Sequence, residues 1–245
     1  MWDRILLGLN NQLSDLVMMV AAVLTVGDPF VQPNALKDTL PEDEEDEGPR
    51  KSLLAQYHHQ RRQFAEKAPG SDVFVRLAAL SAFAQTKEAT FCQSHFLKHK
   101  TMEEMVKLTK QLHRQAALLP QPQGEVPCRL PSPKENGLLR QILLTTFIDQ
   151  IAIRDDGAWQ SGPRKGLYPY RTLKVAENVY VHPGSILRKQ DPAKYVVFTD
   201  LFRSSKVYMK NVTEVEEEWI KQLGQKDGAL QGLLDRLQFT KVQRT

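Results

Sequence analysis

Cysteine is scarce in this chain of 245 residues, which contains only Cys92 and Cys128. Neither has a neighbouring cysteine at the spacing of metal ligands, so we expect neither a disulfide framework nor a zinc site. Long hydrophobic runs are also lacking. The longest, 16–26, is broken only by Thr25 and is shorter than the roughly 18 to 20 apolar residues that a membrane crossing needs.

The first eleven residues lack the features of a secretion signal. They carry Asp3 and Arg4, and they have neither a basic leading segment nor a cleavage site of small residues. We therefore expect no secretion and no membrane partner, and a reducing compartment, cytosol or nucleus, fits the two isolated cysteines.

Charge is unevenly distributed along the chain. The stretch 38–47 holds seven acidic residues and no basic one, although the whole chain has a net charge of +4. Between residues 140 and 210, twelve Lys or Arg stand against six Asp or Glu. A basic module of this kind favours a polyanionic partner.

The first half of the chain has helical patterns. Residues 13–26 are apolar nearly all round and are followed by Gly27, Asp28 and Pro29, which predicts a buried helix. Ser71 and Asp72 predict the N-cap of a second helix, and Thr101 with Glu104 predicts a capping box. We assign 1–119 to a helical region with an acidic loop at 38–50. We expect this loop to be solvated, because its stretch 41–50 has no apolar residue to offset the entropy cost of ordering.

Prolines and then short β-rich runs mark the second half. We expect a proline-rich linker at 120–137, a domain at 138–223 that opens with a helix at 138–147, and a tail at 224–245. Runs rich in Val, Ile, Tyr, Phe and Thr predict five strands. They are 148–154, 170–175, 179–182, 195–201 and 205–210. The fold class expected is α+β, a helical bundle region followed by a small five-stranded antiparallel β-barrel.

Two sequence stretches carry a family resemblance. The run YVHPGSIL at 180–187, followed by SSKVYMK at 204–210 and by Trp219 and Ile220, resembles the OB-fold region of DEAH-box RNA helicases. The run LVMMVAAVLTVGDPF at 16–30 resembles the ratchet-like helicase-associated region of the same family. The resemblance implies an RNA-contacting C-terminal region, and a chain that is a fragment of a longer product.

Motifs of the helicase motor do not occur in this sequence. It contains neither the P-loop pattern GxxxxGK[ST] nor a DEAH box. We therefore expect that this chain by itself is not an enzyme, that it needs no cofactor, and that it has no catalytic residue, although the parent family consists of ATP-dependent RNA helicases. Gly184, and the pair Ser204 and Ser205, depart from the serine and the threonine pair usual in the family.

A finer resemblance concerns residues 71–97 and 139–154, which are similar to the nucleolar subgroup that acts in small ribosomal subunit biogenesis. This implies a role in pre-rRNA processing, a location in the nucleus and nucleolus, and pre-rRNA or small nucleolar RNA as the single-stranded partner. It also implies a helicase motor or an activator protein as a protein partner.

Candidate RNA-binding residues follow from strand geometry. Lys206, Tyr208 and Lys210 alternate on an expected strand and would share one face, a pattern that suits phosphates and a stacked base. An ordinary solvated strand face explains the same pattern. Further candidates from the same region are Ser204, Ser205, Arg203, Arg188 and Ser185, although the two serines at 204 and 205 suit a turn equally well.

Histidines and carboxylates offer little support for chemistry. His182 has no ligand partner at a fitting spacing, so we interpret it as a structural imidazole that is hydrogen-bonded to backbone, and we expect no metal. One alternative function is a protein-interaction platform that docks a helicase activator without binding RNA. Another is a nuclease, but the acidic cluster at 38–47 lies in a segment too polar to be held rigid.

Overall fold

The computed structural model describes residues 13–31, 47–115, 128–157, 167–188, 192–226 and 232. Within these ranges the fold is α+β. The chain divides into two compact units, a helical unit within Leu9–Pro69 and Val73–Ser132, and a sheet unit that contains Gly70–Asp72 and Pro133–Thr245. None of the helices in the described ranges has both the length and the apolar character of a membrane span.

The helical unit contains five described helices. They are α1 (Ser14–Val26), α2 (Glu47–Lys67), α3 (Asp72–Thr86), α4 (Ala89–Ser94) and α5 (His99–Gln115). The core helix expected at 13–26 is confirmed as α1, whose residues from Leu16 to Val23 are all buried. It ends at Gly27, which adopts a φ of 101° that is easily accessible only to glycine, and whose N–H donates to the Val23 carbonyl.

Helix boundaries differ from the sequence-based expectations in two places. Helix α5 already begins at His99, so Thr101 and Glu104 lie inside the helix and the expected capping box is wrong. Helix α2 begins at Glu47, so residues 47–50 of the expected acidic loop are helical, whereas 38–46 lie outside the described residues. The polar composition of 47–50 does not distinguish the two states, since the first turn of a helix can have the same composition as a loop.

The sheet unit contains two described helices, α6 (Pro133–Thr146) and α7 (Glu217–Lys226). Helix α6 includes Pro133, which the sequence pattern assigns to the linker. A proline is tolerated in the first turn of a helix because its missing N–H would have no partner inside the helix there. The helix expected at 138–147 therefore exists, but it starts five residues earlier and ends at Thr146.

Seven strands make up the described part of the sheet. They are β1 (Ile151–Arg154), β2 (Pro169–Thr172), β3 (Val179–Val181), β4 (Tyr195–Val197), β5 (Asp200–Arg203), β6 (Val207–Lys210) and β7 (Thr213–Val215). The run 195–201, expected as one strand, is divided between β4 and β5, and β7 was not expected. Residues 148–150 form a short 3₁₀ helix before β1.

The five-stranded antiparallel barrel is therefore wrong in detail. The strand order is β5-β6-β3-β2-β1-β4-β7, and β5 and β7 stand at its two ends. The pairing of β3 with β6 is parallel, while the other five pairings are antiparallel. Sequence periodicity identifies a strand and its buried face, but it contains no information on which distant strand becomes the neighbour.

One face of the sheet covers the apolar core of this unit. Along β6, Val207 and Met209 are buried while Tyr208 and Lys210 are partly exposed, the alternation that a strand with one covered face requires. Strand β3 repeats this pattern with Val179 and Val181. The core consists of Ala152, Tyr170, Val179, Val181, Leu187, Val196, Phe198, Val207, Met209 and Val212.

Candidate nucleic-acid interface

Three aromatic side chains form a row across neighbouring strands on the face opposite the core. In the parallel pairing of β3 and β6, Tyr180 is the register partner of Tyr208. In the antiparallel pairing of β5 and β6, Phe202 is the register partner of the same Tyr208. Register partners on adjacent strands project from the same face of a sheet, so Tyr180, Tyr208 and Phe202 lie side by side. We call these three residues the aromatic row.

The aromatic row remains accessible to solvent. Tyr180 and Tyr208 are half-buried, and Phe202 is 44% exposed, which makes it one of the large apolar side chains on the described surface. The ring centroids of Tyr180 and Tyr208 are 6.5 Å apart, with an angle of 57° between the ring planes. An exposed aromatic surface of this kind offers stacking faces that any base can use.

His182 follows β3 and adjoins the row. Its ring lies 5.9 Å from that of Tyr208 and 6.3 Å from that of Phe202, in both cases nearly perpendicular. Its Nδ1 accepts a hydrogen bond from the Gly184 N–H at 3.1 Å. This backbone contact matches the structural role expected for the imidazole, and the ring contacts add that His182 supports the aromatic row from one side.

Two lysines place positive charge on the outer rings. The Lys206 Nζ lies 4.2 Å from the ring centroid of Tyr180, and the Lys210 Nζ lies 4.4 Å from that of Phe202. Such contacts are worth about 0.5 to 1 kcal/mol each at exposed sites, so they orient the ammonium groups without immobilising them. The structure therefore brings Lys206, Tyr208 and Lys210 to one surface, although Lys206 lies in the bend before β6 and not on the strand itself.

A buried carboxylate lies where the chain leaves β3 and β6, two of the three strands that carry the aromatic row. The Asp72 Oδ1 accepts hydrogen bonds from the Ser185 hydroxyl at 2.8 Å and from the Ile186 N–H at 3.0 Å. Its Oδ2 accepts one from the Val212 N–H at 3.1 Å. Ser185 and Ile186 follow β3, whereas Val212 follows β6, so Asp72 joins the two chain segments that leave the aromatic row.

Neighbours of Asp72 strengthen the same junction. The Ser71 and Thr213 hydroxyls are buried and lie 2.7 Å apart. The Glu214 N–H donates to the Gly70 carbonyl at 2.8 Å, and the Asp72 N–H donates to the Val212 carbonyl at 2.9 Å. The segment Gly70–Asp72 thus continues the hydrogen bonding of the sheet beyond β7.

The other sequence-based candidates are placed differently. Ser204 and Ser205 are exposed in the bend between β5 and β6, as a turn assignment requires. The Ser185 hydroxyl donates to Asp72 and accepts from the Leu187 N–H. Arg188 is exposed in the loop after β3. Arg203 is the register partner of the buried Val207, so it projects from the face opposite the aromatic row, where its Nη2 is 2.5 Å from the Glu177 Oε1.

Tyr180 and Phe202 were missed by the sequence reasoning. Tyr180 lies between two valines, in a run whose alternation was visible, whereas Phe202 directly follows another apolar residue, Leu201. Only the strand pairing shows that they adjoin Tyr208. Phe202 was also placed just beyond the end of an expected strand, because the division between β4 and β5 was not recognised.

Metal chemistry finds no support in the described part of the chain. Within it, no group of three or more His, Cys, Asp or Glu side chains could hold a metal ion. Two carboxylates of the sheet unit have other roles. Asp72 accepts hydrogen bonds from Ser185 and Val212, and Glu177 pairs with Arg203.

Two families of known domains match separate parts of the chain. Residues 139–226 match the family described as an oligonucleotide/oligosaccharide-binding (OB) fold, and they include the whole described sheet and the aromatic row. Residues 4–76 match the helicase associated domain (HA2), ratchet-like. The two matches occur in the order that the sequence motifs indicated.

Similar proteins are named as probable ATP-dependent RNA helicases. DHX35 of Pongo abelii is 26% identical over 215 residues, which is 87% of this chain and 25% of that protein. DHX37 of Homo sapiens is 29% identical and is matched by 69% of this chain over 15% of its own length. DHR1 of Saccharomyces cerevisiae is 28% identical over 231 residues, 76% of this chain and 18% of that protein. The chain thus spans a quarter or less of these relatives.

Proposed function

We propose that this chain is the C-terminal region of a DEAH-box RNA helicase and that it binds single-stranded RNA as an accessory module. The match to the helicase-associated domain, followed by the match to the OB fold, supports this proposal. The observation that carries this proposal is the aromatic row with Lys206 and Lys210 at its outer rings. Phosphates are bound by lysines and bases by aromatic faces in many proteins that hold single strands without reading their sequence.

The proposed role is to grip RNA and not to perform chemistry. Phosphoryl transfer requires a phosphate-cradling loop and a magnesium-binding acid motif, and the sequence contains neither the P-loop pattern nor a DEAH box. The full chain should accordingly release no phosphate from ATP above background, with or without RNA. A measurable RNA-stimulated rate in a preparation free of other helicases would contradict this part of the proposal.

The biological setting is proposed from resemblance. The similarity to the nucleolar subgroup, together with the relatives DHX37 and DHR1, supports a role in pre-rRNA processing and small-subunit biogenesis, in the nucleus and nucleolus. Pre-rRNA or a small nucleolar RNA would be the bound strand, and a helicase motor or its activator would be the protein partner.

Salt-dependent binding of the full chain to labelled single-stranded RNA tests the grip directly. Removing one lysine that meets a phosphate should lower the slope of log affinity against log salt by roughly 0.7. We therefore expect Lys206→Ala and Lys210→Ala each to flatten the slope and to weaken unrelated sequences about equally. Lys221→Ala is a matched control, because it removes the same charge from an exposed position on α7.

Tyr208 variants separate stacking from folding. Tyr208→Ala should cost about 1 to 3 kcal/mol of binding free energy, whereas Tyr208→Phe keeps the ring face and should retain most of the affinity. Thermal unfolding of the same variants shows whether the ring acts mainly in the core. A variant that combines Lys206→Ala and Lys210→Ala, folds normally and binds RNA as tightly as the parent at low salt would refute the proposed RNA binding. The alternative function, docking of a protein partner, would then be favoured.

A further inference from the structure

The spacing of the aromatic row is too wide for a continuous base stack. Stacked bases along one nucleic-acid strand follow each other at about 3.4 Å. The rings of Tyr180 and Tyr208 are 6.5 Å apart and inclined at 57°. Two successive bases that each lay flat on one of these rings would therefore be separated from one another and tilted, and could not remain stacked.

The ring of His182 is nearly perpendicular to two rings of the row. Its ring stands at 81° to that of Tyr208 and at 73° to that of Phe202, with centroids 5.9 and 6.3 Å away. The bond from the Gly184 N–H to its Nδ1 ties this ring to the backbone. The ring planes of this surface are thus inclined to one another, so successive bases that are stacked in parallel cannot each lie flat on one of the rings.

The lysines occupy the outer ring faces in the free protein. Lys206 covers Tyr180 and Lys210 covers Phe202, at 4.2 and 4.4 Å. A phosphate is a stronger partner for an ammonium group than an exposed aromatic ring, because the pairing is a charge-assisted hydrogen bond. An arriving strand can therefore draw the two lysines onto its phosphates and uncover the rings for its bases.

We infer that this surface is a site for two or three successive nucleotides of an unstacked single strand, whose bases are parted over the aromatic row. The ligand class it favours is uridine-rich RNA, since adenine runs must first give up their own stacking before they fit. This inference rests on the proposed function and adds to it a preference that arises from the conformation of the RNA and not from hydrogen bonds to base edges.

Binding of two homopolymers to the full chain tests the preference. The probes are labelled oligouridine and oligoadenosine of about ten nucleotides, a length within the range that one OB fold covers, measured at several salt concentrations. We expect oligouridine to bind more tightly by a factor on the order of five, with similar salt slopes because the phosphate contacts are shared. Phe202→Leu should bring this ratio towards one, whereas the control Lys221→Ala should leave the ratio unchanged.

A spectroscopic probe reports the parted bases directly. An oligouridine that contains two adjacent 2-aminopurines shows a circular-dichroism couplet when these two bases stack on each other. Saturation with the full chain should abolish the couplet, and the Phe202→Leu variant, compared at saturation, should retain part of it. A couplet that persists in the saturated complex would overturn the inference.

The outcomes distinguish the inference from the proposed function. One outcome is that oligoadenosine binds as tightly as oligouridine or more tightly, while Lys206→Ala and Lys210→Ala still lower the slope of log affinity against log salt. This result would overturn the site for unstacked bases and leave the proposed RNA binding intact. Absence of binding to both homopolymers at low salt would refute the proposed function and the inference together.

Discussion

Asp72 offers the sharpest test of how the aromatic row is held in place. Its carboxylate accepts hydrogen bonds from the Ile186 and Val212 N–H groups and from the Ser185 hydroxyl, and the residue is almost completely buried. In Asp72→Asn, one carboxylate oxygen is replaced by an NH2 group, which donates hydrogen bonds and cannot accept them. At least one of the two backbone N–H groups then faces a donor, whichever way the amide is turned.

The expected cost can be worked out from these bonds. A buried donor without its acceptor costs about 1 to 3 kcal/mol, and a bond to a charged acceptor contributes about 1.5 to 3 kcal/mol. We expect Asp72→Asn to destabilise the junction locally by about 2 to 3 kcal/mol. Asparagine has nearly the size and shape of aspartate, so the substitution changes the hydrogen bonds at the junction and leaves its packing in place.

Hydrogen exchange in the full chain measures this change at the affected amides. At about 1.4 kcal/mol per tenfold, the expected destabilisation corresponds to exchange of the Ile186 or Val212 amide that is faster by roughly 30- to 140-fold. Asp149→Asn is the matched control, because Asp149 is exposed and pairs only at the surface with Lys174. Unchanged exchange at both amides in Asp72→Asn would show that the carboxylate does not hold the two strand ends.

Three further predictions concern the sheet unit. Tyr170 is buried and its hydroxyl donates to a backbone carbonyl at 2.6 Å, so Tyr170→Phe should cost about 1 to 2 kcal/mol in denaturant unfolding. Burial raises the pKa of Tyr170 above its usual value of 10.0. As the pH rises above about 10, Tyr170 therefore ionises in the unfolded chain before it ionises in the folded one, and the stability of the fold should decrease. Tyr170→Phe should make this decrease smaller. A hydrogen bond from Lys194 lowers the pKa of Glu217. This pair therefore stabilises the fold at neutral pH, and its contribution is lost as the pH falls and the carboxylate becomes protonated. Because both side chains are half exposed, Glu217→Gln should change the free energy of unfolding at about pH 7 by less than about 1 kcal/mol. Arg203→Ala should leave the salt slope of RNA binding nearly unchanged, since Arg203 lies on the face opposite the aromatic row, and a slope change equal to that of Lys210→Ala would show that RNA also contacts that face.

Local sequence patterns were sufficient for several features. The run that forms α1 is apolar nearly all round, which predicted a buried helix from composition alone, and its residues from Leu16 to Val23 are buried. The alternation of β6 placed Tyr208 and Lys210 on one face, because the side-chain period of a strand is two residues wherever the strand lies. The start of α3 at Asp72 also followed from a local signal.

Only the tertiary structure decided what surrounds these residues. Tyr180 and Phe202 adjoin Tyr208 because β3 pairs with β6 in parallel and β5 pairs with it in the antiparallel sense, and no local pattern specifies the register of distant strands. Asp72 looked like a helix cap, but its carboxylate reaches Ser185 and Val212, which are 113 and 140 residues away in the chain. Contacts over such separations are selected by the burial and hydrogen bonding of the whole unit, whereas helix and strand periodicity arise from the geometry of the backbone itself.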